Sequence, residues 1–239
     1  MLYAMDPIVN QAAKWSHMFG GQAHPGVTIR GIINRGGEQG AQHSQALHSW
    51  FAHVPGLRVV MPSTVRDARD LLIAAVLCPD PVIYIDDRWL YSLTDDLGPV
   101  GAIDLAAQGP VVSRPGTDVT IVGSGYSSEL ALQAAAELEK DGIDAEVVDL
   151  RVLNPFDPRT VVESVTKTGD LVVVDGGWAN SGFSAEVLAS VAERTAPAIL
   201  RRAPRRVTLP AAPAPTSAPL EAIYYPTVDD VVTAALAVS

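Results

Sequence analysis

Between Val119 and Asp175 short strand-like runs alternate with helix-length amphipathic segments, and that alternation limits the chain to a narrow set of folds. Val119–Gly123, Ala145–Leu150 and Leu171–Asp175 read as strands, and Ser127–Lys140 and Pro158–Thr166 read as the helices between them. Crossovers of this length join parallel neighbours, and their right-handed sense puts helices on the faces of the sheet. A helix over Ser184–Arg194, a strand near Ile199–Arg201 and a last helix over Val228–Ala237 complete the second half. Ala203 to Pro226 holds six prolines and is predicted to be an extended surface loop.

The first half has the same character. Ala4, Ile8, Ala12, Trp15 and Phe19 recur every three or four positions, which predicts an amphipathic helix over Tyr3–Met18 ended by Gly20-Gly21, with Pro7 in its first turn. Val27–Arg30, Leu57–Met61 and Pro81–Ile85 read as strands without polar alternation, as expected for burial on both faces. A glycine-rich loop runs from Gly31 to Gly40, a short helix is expected around Ser44–Ala52, and Thr64 is placed to cap a helix over Val65–Leu77. Asp95 to Thr117 has little periodicity and several proline breaks, so it is expected to link two domains, residues 1–100 and 110–239. The predicted fold class is α/β with two doubly wound, mainly parallel domains.

A chain of 239 residues with 48% hydrophobic residues can bury a sizeable core in one or two domains. It carries 17 basic and 27 acidic residues, 17 − 27 = −10, a balance that repels phosphate backbones and anionic lipid. Nucleic acid and membrane are therefore not expected partners. The apolar run Leu71–Leu77 falls far short of the ~20 residues that cross a bilayer. The opening Met1 to Asp6 has no basic start, and Cys78 is a single cysteine, so no signal peptide, no disulfide and a cytoplasmic location are expected.

Four features bear on chemistry. Gly123-Ser124-Gly125 followed by Asp149 imitates a dinucleotide fingerprint, but position 128 is a serine rather than the third glycine. A tight strand-to-helix turn accounts for the small residues by itself. Asp86-Asp87 and Asp95-Asp96 read as strand-end and loop charges, since neighbours on an extended chain point to opposite sides. Arg201, Arg202, Arg205 and Arg206 read as a solvated basic cluster, or as a face toward an acidic partner. The densest signal runs from Gly36 to Gln45, where a glycine loop leads into a helix and brings together an imidazole, amides and a hydroxyl. His43 there is either a local hydrogen-bonding residue or an acid-base group.

At this loop the sequence resembles a known family. Asp6 to Lys14, Gly40-Ala41-Gln42-His43-Ser44-Gln45, Trp50 to Leu57 and Val60 to Thr64 look like the beta subunits of thiamine-diphosphate-dependent 2-oxoacid dehydrogenases of the pyruvate, branched-chain and acetoin type, in the transketolase superfamily. Asp149-Leu150-Arg151, Leu153-Asn154-Pro155, Val174 to Trp178, Gly182 with Ala185-Glu186, and Pro204 to Thr208 extend the resemblance over nearly the whole chain.

The resemblance implies a partial pyrimidine-binding domain (1–100) and a transketolase C-terminal-like domain (110–239). It also implies thiamine diphosphate and magnesium, shared with an alpha-type subunit that holds the diphosphate, in a hetero-oligomer containing two copies of this chain. It places His43 at the active site, where it assists proton transfer or positions the acceptor, and Tyr3 on the pyrimidine side; no metal ligand is assigned in this chain. Family members begin with a further stretch carrying the glutamate that protonates the aminopyrimidine and an aromatic that packs on it. This sequence starts just after both, which implies either a separate chain supplying the missing strand and helix or a truncated, inactive form. Cys78 and Pro79 stand where the family often has a polar cation-binding turn, which leaves structural potassium open. The implied function is the beta-type component of a split enzyme that decarboxylates a 2-oxoacid and passes on the acyl or hydroxyalkyl unit. A carboligase transferring a ketol unit to an aldehyde and a non-catalytic assembly subunit are the alternatives. Among the other histidines, His53 reads as part of a structural turn, and replacing His48 is expected to change turnover little.

Overall fold

The computed structural model describes residues 2–101 and 103–239. Helical turns over Pro7–Ala12 run into α1 (Ala13–Met18), and these are followed by β1 (Thr28–Ile33), α2 (Gly40–His43), α3 (His48–Ala52), β2 (Arg58–Val60), α4 (Val65–Leu77) and β3 (Val82–Asp87). The second half contains β4 (Val111–Arg114), β5 (Val119–Gly123), α5 (Tyr126–Lys140), β6 (Ala145–Asp149), β7 (Val152–Asn154) and α6 (Arg159–Thr168). It continues through β8 (Leu171–Trp178), α7 (Phe183–Arg194), β9 (Arg205–Leu209), α8 (Ala218–Tyr224) and α9 (Val228–Leu236).

These strands form two mixed, mainly parallel sheets, in the orders β1-β3-β2-β7 and β4-β6-β5-β8-β9. β1 and β2 lie parallel to β3 on either side of it, whereas β4 pairs antiparallel with β6 at the other sheet's edge. Every residue of β3, β5 and β6 is buried, which is why these runs lack polar alternation. The Thr64 hydroxyl accepts from the Asp67 N–H and caps α4 as its position predicts.

One apolar cluster joins the two sheets. Phe51, Val59, Met61 and Ile83 from the first half pack in it with Val122, Val148, Leu171 and Val187 from the second. β7 crosses the same boundary, because it follows β6 in sequence yet closes the first sheet antiparallel to β2. Asn154 reinforces the join, its Nδ2 donating to the carbonyls of Val54 (3.2 Å) and Leu57 (2.7 Å).

Four expectations are corrected. No strand forms near Ile199–Arg201; Arg201 and Arg202 instead turn to the buried Asp170 carboxylate, with Arg201 Nε at 2.8 Å. Both arginine side chains stay about half exposed to solvent, as expected of a surface cluster, while their guanidinium groups are anchored on Asp170. The expected loop Ala203–Pro226 carries both β9 and α8, and the expected linker Asp95–Thr117 carries β4. The helix expected over Ser44–Ala52 forms only as α3, with Ser44–Leu47 non-helical and a separate short helix, α2, before them.

Candidate functional site

β1 ends at Ile33, and the chain then curls through a run of left-handed backbone, with φ of 74° at Gly36, 66° at Gly37, 60° at Glu38 and 70° at Gly40. A Cβ on Gly40 would sit 2.5 Å from Thr216 Cγ2, so the loop lies directly against the segment leading to α8. The ends of the loop are tied together: Asn34 N–H donates to the His43 carbonyl (3.3 Å), and Ser44 Oγ donates to the Asn34 carbonyl (3.0 Å). The strained loop thus delivers His43 to a fixed place at the end of α2, with its side chain exposed.

His43 lines a groove of about 260 Å³ along β1, the outermost strand of its sheet. Ile33, Leu47, Phe51 and Ile85 form its apolar wall, and Gln42, Gln45 and Leu2 complete it with residues of β1. Tyr3 is fully exposed, one residue beyond Leu2. None of the lining residues is Asp or Glu. The groove therefore offers apolar contact, neutral hydrogen-bonding groups, an imidazole and the Arg30 guanidinium, but no carboxylate for a basic ring nitrogen.

The acidic residues near the strand ends are engaged elsewhere. Asp86 and Asp87 are strand-end charges, as expected, closing β3, and each is buried against its own partner. Asp86 Oδ2 accepts from Arg30 Nε (3.0 Å) and the Tyr91 hydroxyl (2.9 Å). Asp87 faces Arg35 (2.8 Å), whose guanidinium lies over the rings of Trp89 and Tyr225. Burial raises the Asp87 carboxyl against the pull of Arg35. Asp95 and Asp96 are exposed loop residues, as expected.

The dinucleotide-like signal resolves into a joint between the halves. Asp149 is buried and accepts from the hydroxyls of Ser63 and Ser128, the latter at 2.8 Å. Burial pushes its carboxyl up to about 6 despite these two donors. With both neighbours inside the protein, Asp149 is not presented to a ribose.

Sequence reasoning missed His48. It is buried, and its Nε2 lies 3.0 Å from Asp175 Oδ1, a structural pairing for which no expectation was set. Gly177 N–H and Ser184 N–H also donate to Asp175, each at 2.9 Å. The only available signal was an acid four residues into an apolar strand, which needs a buried partner. His53 borders a different cleft, of about 630 Å³, with Asn154, Phe183 and Glu186. Among the described residues no cluster of three His, Cys, Asp or Glu side chains is placed to hold a metal ion, and no helix is long and apolar enough to cross a membrane.

With this geometry in view, the family comparisons are specific. Residues 1–92 match the transketolase pyrimidine-binding domain, and residues 108–231 match the transketolase C-terminal domain. The acetoin:2,6-dichlorophenolindophenol oxidoreductase subunit beta of Cupriavidus necator is 44% identical over 230 residues, covering 96% of this chain and 68% of that protein. The pyruvate dehydrogenase E1 component subunit beta of Rhizobium meliloti is 40% identical over 242 residues, 99% of this chain and 51% of that protein. A solved structure described as a split gene transketolase, inactive beta4 tetramer, superposes with a TM-score of 0.71 at 26% identity, covering 88% of this chain and 65% of that one. The chain thus spans about half to two thirds of the length of these proteins. The chain belongs to the beta-subunit family of thiamine-diphosphate-dependent 2-oxoacid and acetoin dehydrogenases, within the transketolase superfamily.

Proposed function

We propose that this chain is the beta-type component of a multi-subunit thiamine enzyme that acts on a 2-oxoacid or acetoin and passes on the acyl or hydroxyalkyl unit. One observation carries the reading: the motif histidine, His43, stands on an open groove beside apolar walls in a chain 44% identical to an acetoin oxidoreductase beta subunit. On its donor set the groove does not hold the cofactor by itself, because no carboxylate lines it to meet a protonated ring nitrogen. The missing acid then comes from another segment or chain, and the diphosphate with its Mg²⁺ belongs to an alpha-type subunit. Within such an assembly, containing two copies of this chain, the His43 imidazole moves a proton to or from the bound acceptor or holds it by a hydrogen bond. Tyr3, beside Leu2, is assigned to the cofactor side of the groove. The working units are residues 1–100 and 110–239, tied by β7.

The likeness to a split transketolase favours a second reading, transfer of a ketol unit to an aldehyde. Both are tested by producing the chain with a diphosphate-binding partner and following thiamine-dependent dye reduction with pyruvate or acetoin, and carboligation with an aldehyde. The expected result is dye reduction by the assembled complex and no micromolar cofactor binding by the chain alone in calorimetry. An assembled complex inactive in every assay would instead identify a non-catalytic assembly subunit.

A further inference from the structure

Glu221, on α8 of the second half, is buried, with 8% of its surface exposed. A buried carboxylate is costly unless it is bonded. Among the described residues its carboxylate accepts from one donor, the Glu38 N–H, at 3.1 and 3.0 Å from its two oxygens. Glu38 returns the contact: its Oε1 accepts from Ala218 N–H (3.1 Å) at the start of α8, where the N-cap Ser217 makes no side-chain cap. Glu38 is also a non-glycine residue in left-handed conformation, a state that persists only where surrounding contacts fix it. Two residues on, Gly40 lies against Thr216 of the same segment. The glycine loop is therefore held, at its most strained point, by a helix from the other half of the chain.

We propose that Glu221 is a positioning residue, which latches the glycine loop through the Glu38 amide and so sets the place of His43. The claim rests on the reading of His43 given above. Glu221 does not line the groove, so it acts only through the loop. Because the latch needs an acceptor oxygen, Glu221→Gln retains it and Glu221→Ala removes it. Glu38→Ala breaks the reciprocal bond from the other side at the same backbone strain.

Amide hydrogen exchange on the full chain reads the latch directly. Glu221→Ala and Glu38→Ala should speed exchange over residues 36–43 by about tenfold or more, the size expected from losing a hydrogen bond to a charged group, while β5, β6 and β8 keep their protection. In the reconstituted complex Glu221→Ala should lower kcat with donor KM unchanged, Glu221→Gln should restore most of it, and Glu221→Ala should add nothing to His43→Ala. Unchanged exchange over residues 36–43 in both alanine variants would overturn the latch. So would a loosened loop with full kcat in a complex that His43→Ala inactivates. If His43→Ala itself keeps full turnover, the site reading has failed, and any Glu221 effect on kcat then overturns action through His43.

Discussion

His48 Nε2 lies 3.0 Å from Asp175 Oδ1, and this buried pair joins the first turn of α3 to the middle of β8 in the other half. Burial alone would raise the Asp175 carboxyl, but the His48 imidazole and the N–H groups of Ser184 and Gly177 outweigh it and hold the group at about 2. The joint is thus a buried hydrogen-bonded strut between the two halves of the chain.

His48→Ala leaves Asp175 buried without its side-chain partner, and a loss of about 3 kcal/mol is expected from breaking one side of a buried pair. Urea denaturation at pH 7 checks it; a loss within about 0.5 kcal/mol would return His48 to a passive role. The sign with pH follows from the depressed value. The contribution is present above the ordinary 3.8 and is lost as pH falls from there toward about 2.

Asp149 titrates in the opposite sense. Its carboxyl is raised from 3.8 to about 6, so the stability present below pH 3.8 is lost as pH rises through 6. Asn at this position still bonds Ser63 and Ser128 without ionising. The stability difference between Asp149→Asn and the unmodified chain should therefore shift in favour of the variant by roughly 1–3 kcal/mol between pH 4 and pH 7.5. Denaturation curves across that range decide it, and a difference that does not move with pH would contradict the assignment.

The strand and helix order of the second half was legible because Val119–Asp175 obeys one periodicity at a time. β7 and β9 were not legible for local reasons. β7 is three residues held between Arg151 in left-handed conformation and Pro155, too short to show a period. β9 begins with two exposed arginines, and a proline-rich segment follows it, so its pattern imitates a loop. Of the proposed site, the glycine loop and its motif were legible in the sequence, whereas the contacts that support the loop were not. Glu38 meets Glu221 across 183 residues, and His48 meets Asp175 across 127, distances over which sequence patterning carries no pairing information.

Gly56, in the turn before β2, has φ of 95°, and a Cβ there would run directly onto the Ala13 carbonyl oxygen. Lys14 Nζ donates to the adjacent Pro55 carbonyl at 2.6 Å, so this turn anchors α1. Gly56→Ala should destabilise the chain by more than about 2 kcal/mol through clash and backbone strain together. It should also expose residues 5–18 to limited proteolysis. Wild-type resistance of that segment would show that the turn does not hold α1.

The central claim is that His43 acts on the transferred unit, and turnover of the His43→Ala complex beside its sizing profile tests it most directly. His17, exposed on α1 and outside the groove, supplies the control substitution. The account predicts that His43→Ala assembles normally and loses roughly 10²- to 10⁴-fold in turnover, while His17→Ala keeps it. Full turnover in His43→Ala, or a loss that tracks only dissociation of the complex, would contradict it.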